Sequence, residues 1–132
     1  MQLRESILLA NGQTVEVWDL SRPIAADTQK VELLFRMTLE LHPGDFDLPD
    51  HYAEVQRVFG AEPSFEYRME RSFVPHLQGE RTVQELIAAF GRDTLPYLAR
   101  PDFPRRFARS RYREITKDPY RYAVGKEKET TA

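Results

Sequence analysis

The sequence predicts an α+β fold: a mostly antiparallel sheet of about four strands, one inserted helix, and C-terminal helices packed on one face. Three observations carry this reading. Apolar residues alternate from Val31 to Leu41 with the period of a half-buried strand. Asn11-Gly12 separates two shorter extended segments, a strong hairpin signal. From Thr82 onward the apolar spacing becomes helical, so strands come early and helices late.

Taken in order, Ser6 to Ala10 and Gln13 to Leu20 form the hairpin, with a two-residue type I′ turn at Asn11-Gly12. Val15 and Val17 define its apolar face, and Trp18 on the opposite side predicts some cover there. Ser21 to Gln29 reads as a loop. In the long strand, Val31, Leu33, Phe35, Met37, Leu39 and Leu41 alternate with Lys30, Glu32, Leu34, Arg36, Thr38 and Glu40. Burying such side chains contributes at most about 1.5–3 kcal/mol each.

A helix follows to Phe59, with Asp47 as N-cap, Pro49 and Asp50 in the first turn, and Gly60 as the stop. Phe65, Tyr67, Met69 and Phe73 mark a second long strand, in which Arg71 falls in an inward phase, so that either the pattern weakens or a bulge intervenes there. Beside the first long strand, its outward Glu66, Arg68 and Glu70 would meet Glu32, Arg36 and Glu40 in a charged ladder. Thr82 and Glu85 read as a capping box ahead of Val83, Leu86, Ile87 and Phe90. Gly91 interrupts, Asp93 or Thr94 with Pro96 restarts, and Asp102 caps an arginine-rich helix that ends at Asp118-Pro119. The expected organisation is one domain over residues 1–124 and a polar, disordered tail over 125–132.

Composition narrows the function classes. The chain has no cysteine, which removes disulfides, thiol nucleophiles and thiolate metal sites. The apolar run after Arg4 and Glu5 breaks at Asn11, too short for a signal core or a spanning helix. A cytoplasmic location with no membrane partner is the expectation. Net charge is only −2, yet the basic residues are 15 Arg to 4 Lys. Six of those arginines lie between Arg100 and Arg113 against one acid, Asp102, while Glu40 to Glu66 holds seven acids and one base. Arginine favours planar, bidentate pairing with carboxylates, so the two segments are natural partners within one chain or between two copies.

On a helical wheel Arg105, Arg106, Arg109 and Arg113 share an arc of about 100° and form a candidate interaction face. Phe103, Phe107, Ala108, Tyr112 and Ile115 occupy the other side. Arg111 lands among them, which predicts a partly buried guanidinium paired with a carboxylate. His42, Asp45, Asp47, Asp50 and His51 are weak candidates for a divalent cation, because they lack the glycine and distal glutamate of a calcium loop. Turn formation and capping also account for the aspartates. His76 stands beside Pro75 with no nucleophile motif nearby, and no Walker loop, dinucleotide fingerprint or zinc-protease motif occurs. No catalytic residue, cofactor or metal is therefore expected.

Asp19-Leu20-Ser21, followed by an alternating strand, resembles part of the PilZ domain, which binds a cyclic dinucleotide through paired arginines and an Asp-x-Ser-x-x-Gly stretch. Ile24 stands where the glycine belongs, and Arg4 is followed by Leu8 rather than by a second arginine. More broadly, the order of Trp18 to Pro23, the long strand, and Leu95 to Pro104 resembles small bacterial proteins with no assigned function. That likeness implies a bacterial cytosolic protein and transfers no functional residue. The leading expectation is a non-enzymatic interaction or structural module, a homo-oligomer or bound to a protein partner. Nucleic-acid binding through the arginine-rich helix is the second, and a PilZ-like sensor the third. The sequence pI near 5.9 weighs against a dedicated nucleic-acid binder.

Overall fold

The structure, a computed structural model, describes residues 1–122. The tail expected over 125–132 lies outside the described residues. The described chain divides into two compact units, one built from Met1–Thr38 and Ser64–Arg100, the other from Leu39–Pro63 and residues 101–122. No helix among the described residues is long and apolar enough to cross a membrane.

The first unit is an antiparallel five-stranded sheet with helices: β1 (Gln2–Leu8), β2 (Thr14–Asp19), β3 (Arg22–Pro23), β4 (Thr28–Thr38) and β5 (Ser64–Pro75). β1 pairs with β2, β2 and the two-residue β3 share one side of β4, and β5 takes the other side along nearly its whole length. The segment expected as a loop thus supplies the fifth strand. The hairpin turn is a three-residue loop rather than a type I′ turn. Leu9 N–H donates to Gln13 O at 2.8 Å, Gly12 N–H donates to Leu9 O at 3.0 Å, and Gly12 alone in the turn adopts a positive φ, +86°. Asn11 is held otherwise: its Nδ2 donates to the Leu98 and Arg100 carbonyls.

β4 is buried on both faces from Val31 to Phe35, so the expected alternation understates its cover. Leu34, read as outward, lies in register between Trp18 and Arg68 and is buried. β5 gains one residue opposite the Gln29–Val31 step, which places the bulge at Ser72–Phe73, just after Arg71. There Phe73 adopts φ +57° and is 72% exposed, not inward as its phase suggested.

α2 (Gly79–Asp93) packs on β4 and β5, with the rings of Phe90 and Phe35 stacked 3.9 Å apart. It starts a turn earlier than the capping-box pattern indicated. Thr82 Oγ1 donates to Gln78 O instead of capping, and the helix runs through Gly91. α3 (Leu95–Leu98) restarts after Thr94 and buries Leu98.

The second unit pairs α1 (Pro49–Phe59) with α4 (Phe103–Lys117), and α5 (Pro119–Tyr122) follows α4. Val55, Phe46, Phe103, Phe107, Ala108 and Ile115 are buried in it. Gly60 closes α1 at φ +83° and ψ 175°, a conformation open essentially to glycine alone. The N-cap of α1 is Leu48, not Asp47; Asp47 is drawn instead to an arginine of α4.

Candidate anion-binding cleft

Two prolines shape the start of α4. Pro101 and Pro104 confine the backbone around Asp102, the N-cap position, and φ-locked Pro104 suits the first helical turn. The Asp102 carboxylate does not cap the helix. Its Oδ2 accepts from Arg106 Nε at 2.7 Å, one turn along.

From that start the 3.6-residue repeat sets Arg105, Arg109 and Arg113 in a row, about 6 Å apart along the axis. With Arg106 they line an open cavity of about 570 Å³, whose remaining wall is Phe46, Asp47, His51, Asp102 and Tyr112. All four arginines are exposed. Arg109 Nη2 donates to Asp47 Oδ1 at 2.8 Å, a pair between the basic segment and the acidic one. Among the described residues no carboxylate meets the Arg105 or Arg113 side chain. The lining therefore carries four guanidinium groups against two carboxylates, both already engaged.

An aromatic pair completes the wall. The His51 imidazole stacks on the Tyr112 ring, with centroids 3.8 Å apart and planes inclined by 17°. The helical wheel sets Tyr112 on the apolar side of α4. Yet it follows Arg105 by seven residues, only about 20° away on the wheel, and that spacing was the signal available for joining it to the arginine row.

Arg111 does not face the cavity. Its guanidinium lies over the rings of Phe107 and Phe59, at 4.7 and 5.4 Å from their centroids, and Nη1 donates to Glu114 at 2.8 Å. It is half-buried, with the stem along apolar surface and the head paired inside its own helix.

The five weak metal candidates scatter into local tasks. Asp45 Oδ2 accepts from the His42 backbone N–H at 2.9 Å, Asp50 sits in the first turn of α1, Asp47 holds Arg109, and His51 stacks. Among the described residues no three His, Asp or Glu side chains converge to hold a metal ion.

The PilZ-like stretch is taken up by the sheet. Asp19 Oδ1 accepts from Ser21 N–H at 2.8 Å, and Ser21 Oγ accepts from Glu32 N–H at 3.2 Å. These contacts form the bend that carries the chain from β2 to β3.

Arranged this way, the cleft can bind a group that offers several closely spaced negative charges and a flat surface for the aromatic pair. No family model matches the chain, and neither a curated protein nor a solved structure matches it.

Proposed function

We propose that the protein is a non-enzymatic interaction module of the cytoplasm that self-associates and offers the α4 cleft to an acidic segment of a protein partner. The observation that carries the cleft is the Arg105–Arg109–Arg113 row, with two of its three guanidinium groups unmatched by carboxylate among the described residues. A short acidic segment suits it better than a long polyanion, because Asp47 and Asp102 already offset half of the lining charge. Self-association is supported by the sheet, whose outer strands β1 and β5 each pair along one side only among the described residues.

Titration of a fluorescent glutamate-rich peptide at low and moderate salt tests the cleft. The double variant Arg105→Glu/Arg113→Glu is expected to weaken binding at least tenfold without lowering the melting temperature. Equal binding by the variant removes this reading.

The His51–Tyr112 stack favours a second reading, a single-stranded nucleic acid whose bases stack on the tyrosine while its phosphates follow the arginine row. A single-stranded oligonucleotide run beside the peptide separates the two. Tighter, more steeply salt-dependent binding of the oligonucleotide selects the nucleic acid.

A further inference from the structure

β5 spans twelve residues, and among the described residues it pairs with β4 and no other strand. Along Tyr67–Arg71 its outer side therefore presents backbone groups that no strand among the described residues takes up, with the Glu70 carbonyl accepting from Arg71 Nη1 at 2.8 Å, the usual template for a further strand. The side chains along it are strongly charged: Glu66, Arg68 and Glu70 on one face, with Tyr67, Met69 and Arg71 on the other. Such charge guards an edge against arbitrary pairing, but its order here is self-complementary.

In an antiparallel pairing of β5 with its own copy about a two-fold axis normal to the sheet, one residue faces itself. Placing Glu66, Arg68 or Glu70 at that point sets like charges opposite each other. Centring on Met69 instead puts Arg68 opposite Glu70 twice, and Tyr67 opposite Arg71 twice, a guanidinium beside an aromatic ring. Centring on Tyr67 matches Arg68 with Glu66, but sets Tyr67 against itself rather than against a guanidinium and leaves Glu70 facing Ser64; in either register the charged groups also hold partners within the chain, Arg68 to Glu32, Glu70 to Lys30 and Glu66 to Arg36. The bulge at Ser72–Phe73 ends regular pairing just past the Met69-centred stretch and so limits slippage. Tyr67 is 41% exposed, and Arg68, Glu70 and Arg71 are exposed as well.

We infer that β5 pairs antiparallel with β5 of a second copy, in the register that sets Met69 against Met69. This rests on the self-association proposed above and names its surface. The dimer joins two five-stranded sheets into one and removes both β5 edges at once.

The chain has no cysteine, so one introduced thiol reports its own neighbours. Directly opposed strand residues hold their Cβ atoms about 4.5–5.5 Å apart. Met69→Cys is expected to give a disulfide-linked dimer under mild oxidation, whereas Glu5→Cys on β1 gives background only. Glu70→Arg is expected to raise the dissociation constant by sedimentation roughly tenfold or more, through like charges at two places. Its far-ultraviolet circular dichroism should remain that of the parent chain. A monomer at high concentration overturns both this inference and the self-association beneath it. A dimer that Met69→Cys does not cross-link and Glu70→Arg does not weaken overturns the inference alone.

Discussion

Glu32 is the one charged side chain that is buried among the described residues, at 7% exposure. Its carboxylate collects Arg22 Nη1 at 3.1 Å, Arg68 Nη1 at 2.8 Å and Lys30 Nζ at 3.8 Å. Hydrogen bonding to Arg22 is the main cause that holds its pKa below the ordinary glutamate range; burial opposes the shift, and Arg68 adds to it. A carboxyl whose folded pKa is depressed stabilises the fold above its unfolded value, about 4.3, and loses that contribution as pH falls through the folded value. Glu32→Gln is expected to cost about 1–2 kcal/mol at neutral pH in urea titrations, less than for a sealed ion pair because Arg22 and Arg68 are half open to water. The difference between the two chains should shrink below about pH 4. Gly60 makes a second prediction at this scale. A Cβ there meets nothing within 4 Å, so Gly60→Ala would cost about 1–3 kcal/mol through backbone strain alone.

Among the elements, β4 and α4 were legible for a shared reason: each repeats its apolar residues with one unmistakable period over more than ten positions. The charged ladder between β4 and β5 was legible too, and Arg36 bonds to Glu66 and Arg68 to Glu32 across it. Ends were harder to read. Asp47, Thr82 and Asp102 all look like caps, yet each side chain has another bond available in the folded chain: Arg109 for Asp47, the Gln78 carbonyl for Thr82, Arg106 for Asp102. Local rules cannot weigh a partner 62 residues away. The energetics of α4 should divide by face. Phe107→Ala is expected to cost about 3–5 kcal/mol in thermal or urea melts. Arg111→Ala should cost about 1 kcal/mol through its lost ring contacts and ion pair, while Arg105→Ala and Arg113→Ala stay within about 0.5 kcal/mol.

Across the molecule, the two opposed charge blocks were visible in the sequence, but their use was not. Of the acidic stretch, Asp47 reaches the arginine helix, Glu54 pairs with Arg57 inside α1, and Glu66 pairs with Arg36 in the sheet. The arginine helix in turn meets Asp102 and Glu114 from its own neighbourhood. Short sequence separation makes the Glu54–Arg57, Asp102–Arg106 and Arg111–Glu114 pairs entropically cheap, and Arg105 and Arg113 stay without a carboxylate among the described residues. The division into two units was equally hidden, since each is assembled from two stretches of chain that composition does not distinguish.

That interleaving has a bearing on synthesis. Residues 49–59 leave the ribosome well before residues 103–117, the helix against which they pack. At roughly 5–20 residues per second the wait lasts a few seconds, with Val55 and its apolar neighbours exposed to chaperones or to other nascent chains. A chain terminated after Arg100 should hold that wait indefinitely. Hydrogen exchange on such a fragment is expected to find the amides of 49–59 exchanging at coil rates, while those of β4 stay slow.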